Sequence, residues 1–139
     1  MNNINLIFLI PFLAYIVAGC CKFIISIIIN RKINFSNIGM GGFPSTHNTI
    51  TSTTTSAVSI IEGIDSSEFL ICLTFSLIIL IDSLDLRNKI SSHAKNINPI
   101  NKNDVLREKI GHKPIEVFGG IILGIFLGPT LLMTLTLIQ

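Results

Sequence analysis

The sequence predicts an all-α protein: a polytopic membrane helical bundle of about four transmembrane helices, with a polar cytoplasmic helical segment. Mean hydropathy is +0.69 and only 13% of the residues are charged, which is too apolar for a soluble domain. Apolar runs long enough to cross a bilayer recur along the chain, separated by polar segments. The 139 residues suffice for one domain, so residues 1–139 are expected to form a single integral-membrane unit.

The apolar runs define the predicted helices. They cover residues 4–29, 44–61 and 67–82, and a final run that is opened by Gly111-His112-Lys113-Pro114 and extends to Ile138. The second is rich in Ser and Thr, whose hydroxyls can bond to carbonyls of their own or neighbouring helices. We therefore expect this helix at the centre of the bundle, beginning at Pro44 because proline fits a first helical turn.

The polar stretch 83–111 separates the third span from the fourth. It predicts that the third helix continues out of the membrane, breaks at Asn98-Pro99 and is followed by a short surface helix. In the last helix, Pro129 is expected to produce a kink. The glycines of that helix are expected to allow close packing on another helix; they are Gly119, Gly120 and Gly124.

Basic residues are concentrated on one side of this topology. All Lys and Arg except Lys22 fall after the first span or after the third, whereas the opposite side carries only Glu62, Asp65 and Glu68. The positive-inside rule then places the basic side in the cytoplasm and both termini outside. We expect a multi-pass protein of a bacterial-type inner membrane, with its functional face toward the cytoplasm.

Four separated segments meet on the basic face in this topology. Their polar residues are Lys22 with Arg31, the turn Gly41–His47, Asp82 with Arg87, and His112 with Glu116. Glycines permit close backbone approach to a ligand, and a helix N-terminus favours an anion. His112 and Glu116 are four residues apart, so on a helix they would share a face and the carboxylate could hold the imidazole.

Each segment also has a plainer interpretation. The turn before His47 could be an ordinary capped loop, Lys22 could extend to the membrane surface, Glu116 could cap a helix, and His112 could be a surface residue. Convergence of all four on one face favours a functional site. Two histidines, several cations and a helix start suit phosphoryl transfer, in which one neutral imidazole attacks phosphorus and the other protonates the leaving oxygen. No metal or cofactor is expected.

These residues resemble the type 2 phosphatidic acid phosphatase (PAP2) superfamily, which includes the vanadium haloperoxidases, and in particular its divergent branch of small membrane proteins. Gly41–His47 looks like the branch motif Gly-Gly-Met-Pro-Ser-Ser-His, with Phe43 and Thr46 substituted. Asp82–Arg87 resembles Asp-x-x-x-x-Arg, and Gly111–Val117 resembles Gly-His-Thr-Pro-x-Glu-Val.

The resemblance implies specific roles. His112 would be the nucleophile, Glu116 its orienting carboxylate and His47 the general acid, with Asp82 in support. The phosphate ligands implied by the family are Lys22, Arg31, Gly42, Ser45 and Arg87.

The function that follows is a metal-independent membrane lipid phosphatase that cleaves a phosphate or diphosphate monoester through a phosphohistidine. Its partners are a lipid phosphate and the bilayer, with no nucleic acid, and a homodimer would add shielding around a site enclosed by so few helices. Two alternatives stay open: a non-catalytic binder or transporter of lipid phosphate, and a structural membrane protein whose motifs are relics.

Overall fold

The computed structural model describes residues 6–30, 42–101 and 104–138, and this part of the chain contains helices and no strand. A short 3-10 turn at Leu6–Leu9 leads into the first helix. The α-helices are α1 (Ile10–Asn30), α2 (Thr46–Ile61), α3 (Ser67–Ile81), α4 (Arg87–Ile97) and α5 (Pro114–Ile138). The predicted all-α class is confirmed.

α2 lies at the centre of the bundle and contacts α1, α3 and α5, as its hydroxyl-rich sequence predicts. Its buried positions are mostly polar, and their hydroxyls bond to the carbonyl one turn earlier. Thr49 donates to the Ser45 carbonyl at 2.9 Å, and Thr53 donates to the Thr49 carbonyl at 2.7 Å. These internal bonds satisfy the hydroxyls, so α2 can be buried among apolar neighbours.

The closest packing in the bundle joins α2 to α5 through glycines one turn apart. A Cβ at Gly120 would lie 2.5 Å from the Ser45 carbonyl oxygen, and one at Gly124 would lie 2.7 Å from that of Thr49. The same restriction holds at Gly128, which was not among the predicted packing glycines, whereas Gly119 is covered by the Phe43 ring. The absence of side chains on this face lets the two backbones approach.

A π-helical turn, Asp82–Leu86, joins α3 to α4 without interrupting the helix. Together these elements run from Ser67 to Ile97, and α4 is the polar continuation predicted for the third span. The turn contains the i to i+5 backbone bond from the Arg87 N–H to the Asp82 carbonyl. Such turns are rare and concentrate at functional sites.

Among the residues that the structure describes, three helices are long and apolar enough to cross a membrane: Leu6–Ile28, Ser67–Ile97 and Pro114–Ile138. The expected count of four is not confirmed, because α2 has 16 residues and a span needs about 20. Two local predictions are wrong. α2 begins at Thr46 instead of Pro44, and no helix forms in residues 104–113, where the short surface helix was expected. α5 remains helical through Pro129.

Candidate active site

The turn before α2 is fixed by the start of α5. Gly42 has φ +90°, a backbone conformation that residues other than glycine rarely adopt. The Ser45 N–H donates to the Glu116 carbonyl at 2.8 Å, and the Ser45 hydroxyl accepts from Asn48 Nδ2 at 2.9 Å. Ser45 occupies the N-cap position of α2, yet its side chain makes no capping bond. The N-terminus of α2, with its partial positive charge, therefore has no side-chain cap at this site.

Asn48 and Ser83 connect the separated motifs. Asn48 Nδ2 donates to the Ser83 hydroxyl at 3.0 Å as well as to Ser45, and all three residues are buried. The Ser83 carbonyl in turn accepts the N–H of His112 at 3.4 Å. One amide and one serine thus bring the turn before α2, the π-helical turn and the segment before α5 to the same place.

His112 lies in the extended segment before α5, held by the polar part of the third span. Its carbonyl accepts from Asn88 Nδ2 at 3.2 Å, and the Ser91 hydroxyl accepts the N–H groups of Ile110 and Gly111, both at 3.1 Å. A Cβ at Gly111 would overlap the Asn88 side-chain amide and lie 2.9 Å from the Asn88 backbone nitrogen, so a side chain there would require a shift of α4. These contacts leave His112 3% exposed.

The histidine rings carry the only buried side-chain nitrogens and oxygens that lack a hydrogen-bond partner in the described part of the chain. They are Nδ1 and Nε2 of His112 and Nδ1 of His47. Buried polar atoms are nearly always paired, because an unpaired one costs about 1–3 kcal/mol. A ligand that accepts from or donates to both rings would remove this cost.

The charges around His112 are mainly positive. Burial lowers its pKa, and the nearby charges of Lys22 and Arg87 lower the pKa further, against the opposite effect of Glu116. Lys22 is only 8% exposed although it lies on the apolar helix α1. The predicted cations Lys22 and Arg87 therefore act on the same imidazole, which is in its neutral form at neutral pH.

Asp82 and Arg87 form an ion pair, Nε to Oδ2, at 2.5 Å, with both side chains largely covered. The π-helical turn explains their spacing, because one such turn brings residues five apart onto the same side of the helix. Asp82 thereby holds the guanidinium, and the remaining guanidinium N–H groups stay available for an anion.

Glu116 differs from its predicted geometry. The prediction that Glu116 and His112 share a helix face is wrong, because α5 begins at Pro114 and His112 precedes it. Glu116 Oε2 instead accepts the Lys113 N–H at 3.0 Å, as in a helix N-terminal cap. Its influence on His112 is electrostatic in this arrangement, and the orienting role stays a prediction.

The structure thus brings together most of the predicted site residues, on α1, on the turn before α2, on the π-helical turn and before α5. Arg31 lies outside the described residues, as does Gly41. Sequence reasoning missed the positioning residues Asn48, Ser83 and Ser91. Asn48 follows His47 directly and Ser83 lies inside the Asp82–Arg87 motif, which was a weak signal for these two, whereas Ser91 had none.

Comparison with known proteins decides the family. The family model described as "Divergent PAP2 family" matches residues 3–127. The chain belongs to the divergent PAP2 family. This match spans every motif segment of the candidate site, from Lys22 to Glu116.

A relative of this family member is the uncharacterized membrane protein YuiD of Bacillus subtilis (strain 168). It is 30% identical over 135 residues, which covers 82% of this chain and 85% of the relative. No solved structure matches the chain. The membrane-protein relative and the three apolar helices place this divergent PAP2 protein among integral membrane proteins.

Proposed function

We propose that the protein is a membrane lipid phosphatase that hydrolyses a phosphate or diphosphate monoester of a lipid through a phosphohistidine intermediate. The observation that carries this proposal is the pair of histidines, His112 buried and His47 half-buried, whose buried ring nitrogens lack a partner in the described part of the chain. The positive charges of Lys22 and Arg87 both act on the His112 imidazole, and two cations at one place suit a site for a multiply charged oxyanion.

In the first step, a ring nitrogen of neutral His112 attacks phosphorus. The bond between phosphorus and the lipid oxygen breaks, and His47 gives a proton to that oxygen. Burial, Arg87 and Lys22 lower the pKa of His47, and the negative charge of the bound phosphate opposes them, so His47 takes up this proton with the substrate. Lys22 and Arg87 stabilise the charge on the equatorial oxygens together with the uncapped N-terminus of α2. The lowered pKa of His112 keeps its lone pair available at neutral pH.

In the second step, water attacks phosphorus and the bond between phosphorus and His112 breaks. His47, now neutral, accepts a proton from the water, which returns it to its starting form. Inorganic phosphate leaves, and both imidazoles are again free. Glu116 assists by stabilising the charge that develops on His112.

A lipid substrate follows from the position of the site in the bundle. The site residues lie where apolar α3 passes into polar α4 and just before α5 begins. A lipid head group lies at the same level in a bilayer. The basic segments on this side are expected in the cytoplasm, so the site would act on lipids of the inner leaflet.

The experiment compares phosphate release by the wild type with that of His112→Ala, using phosphatidate in detergent micelles. His93→Ala is the matched control, because His93 is an exposed histidine on α4 outside every motif. We expect a loss of at least about 1,000-fold for His112→Ala, the scale of losing a nucleophile, and no change for His93→Ala. Equal release by wild type and His112→Ala would refute the proposal.

A non-catalytic lipid-phosphate binder or transporter is the second candidate, and the Glu116 contact favours it. Glu116 bonds to the Lys113 N–H, and His112 has no carboxylate hydrogen-bonded to its ring. This candidate predicts that phosphatidate binding survives His112→Ala and is lost in Arg87→Ala, with no turnover by any variant.

A further inference from the structure

A groove of about 420 Å³ runs along the bundle from the candidate active site. α2 forms its floor, and α3 and α5 form its walls, since both helices pack on α2. It begins at Asn48, beside the histidines, and reaches Ser59 and Phe69 at the other end. Along α2 this is about 16 Å, at 1.5 Å per residue.

The groove is lined mainly by apolar side-chain surface. Its walls are formed by aliphatic side chains such as Leu73, Leu77 and Ile125. The hydroxyls on its floor are mostly occupied: Ser56 donates to the Ile125 carbonyl at 3.0 Å, and Ser59 donates to the Ser56 carbonyl at 2.7 Å. An occupant therefore needs bulk and hydrocarbon and need not supply hydrogen bonds.

One end of the groove is polar and shares Asn48 with the candidate active site. Asn48 lines the groove and also donates to Ser45 and Ser83, the residues that join the motif segments. A molecule with its phosphate between His47 and His112 would pass Asn48 and enter the groove. Its remaining length would lie along α2, toward the far membrane face.

We propose that this groove binds a hydrocarbon chain of the lipid whose phosphate is bound at the two histidines. The inference rests on the proposed function for its choice of head group. The small side chain of Ser59 leaves room for a long chain at the far end. A larger residue at position 59 would close that end and shorten the chain that fits. A second copy of this chain is the competing occupant.

The test uses phosphatidate with a diazirine on one long acyl chain, added to the full-length protein in nanodiscs and photolysed. Labelled residues are mapped by peptide mass spectrometry. We expect labels on groove residues such as Leu73, Leu77 and Ile125, and their loss with phosphatidylcholine carrying the same diazirine chain. Equal labelling of exposed residues of α3 outside the groove, such as Leu70 and Ile78, would overturn the proposal.

A matched pair of variants tests the far end. Ser59→Phe fills the groove, whereas Thr74→Phe adds the same bulk on an exposed, lipid-facing position of α3. We expect Ser59→Phe to weaken labelling by the long chain about tenfold relative to dioctanoyl phosphatidate carrying the diazirine, the low end for a misfit in an apolar pocket. Thr74→Phe should leave labelling by both phosphatidates unchanged.

The outcomes separate this inference from the proposed function. Groove labelling without phosphate release would support the groove and refute catalysis. Phosphate release with scattered labelling would refute the groove and leave the phosphatase proposal standing. The same conclusion would follow if Ser59→Phe changed labelling by the long-chain and the dioctanoyl phosphatidate equally. A change of oligomer size in Ser59→Phe without a change in lipid labelling would assign the groove to a second copy and overturn the proposal.

Discussion

His112 is buried by the polar chain around it, and that burial determines its chemistry. Backbone bonds to Ser83 and Asn88 fix its position, yet its ring nitrogens meet no partner in the described part of the chain. Removal from water disfavours the imidazolium, and the neighbouring cations disfavour it further. The result is an imidazole that stays neutral where an exposed histidine would be partly protonated, as the proposed nucleophile requires.

The pH dependence of phosphate release should report this effect. Activity should fall as the pH falls through the pKa of His112, because the protonated ring cannot attack, and this limb should lie below about 6.5, the ordinary histidine value. Lys22→Met removes one positive charge facing His112, while Arg87, His47 and Glu116 remain. The limb in kcat/KM should therefore move to higher pH. The move should recover only part of the lowering of the His112 pKa, because burial, its main cause, remains.

The substrate phosphate also titrates in this range, with a second pKa near 6. Comparison of Lys22→Met with the wild type on one substrate isolates the group on the protein, because the substrate is unchanged. A limb at the same pH in both proteins would contradict the electrostatic account of His112. The variant should also bind substrate more weakly, which a raised KM would show.

At the scale of elements, the site depends on how closely α5 approaches α2. The Ser45 N–H reaches the Glu116 carbonyl because Gly120, one turn further along α5, has no side chain between the two backbones. The π-helical turn makes the second contribution, since it carries Asp82 and Arg87 to one side while α4 continues toward His112. Helix contacts thus position groups that are far apart in sequence.

Gly124→Ala tests the close approach of α5 to α2. The new Cβ would lie 2.6 Å from the Ser52 Cβ and 2.7 Å from the Thr49 carbonyl oxygen, so we expect a loss of about 1–3 kcal/mol in the free energy of unfolding. Gly19→Ala in α1 is the matched control, because its Cβ would meet nothing within 4 Å. Thermal unfolding in detergent should show a lower midpoint for Gly124→Ala alone. Equal midpoints would contradict this packing.

The sequence predicts much of this architecture, because apolar runs and polar motifs are local patterns. The runs place α1, α3 and α5, and the Ser- and Thr-rich segment correctly predicts a central α2. The π-helical turn has no such pattern, since a bond from residue 87 to residue 82 leaves no composition signal. The role of Asn48 is equally hidden, because it depends on Ser83, which is 35 residues away. Glu116 could either cap α5 or face His112, and the start of the helix at Pro114 decided this in favour of the cap.

At the scale of the whole molecule, charge and site occupy the same end of the bundle. The polar helix α4 and the segment leading to His112 carry most of the basic residues of the described chain. The turn after α2 at the opposite end carries Glu62 and Asp65. From the positive-inside rule we predict that the basic end faces the cytoplasm.

Cysteine labelling in whole cells tests this orientation. Arg107→Cys and Asp65→Cys are exposed positions at the two ends, and each is introduced after replacement of the native Cys20, Cys21 and Cys72. A membrane-impermeant maleimide should label position 65 in intact cells and position 107 only after the membrane is opened. The reverse pattern would place the site on the outer face.

The most direct measurement is the covalent intermediate itself. The protein is mixed with lipid phosphate carrying ³²P, quenched within one turnover under alkaline conditions that preserve phosphohistidine, and digested for peptide mapping. The account predicts label on His112 in the wild type and none in His112→Ala. Label on another residue, or rapid phosphate release with no labelled histidine at any time, would contradict it.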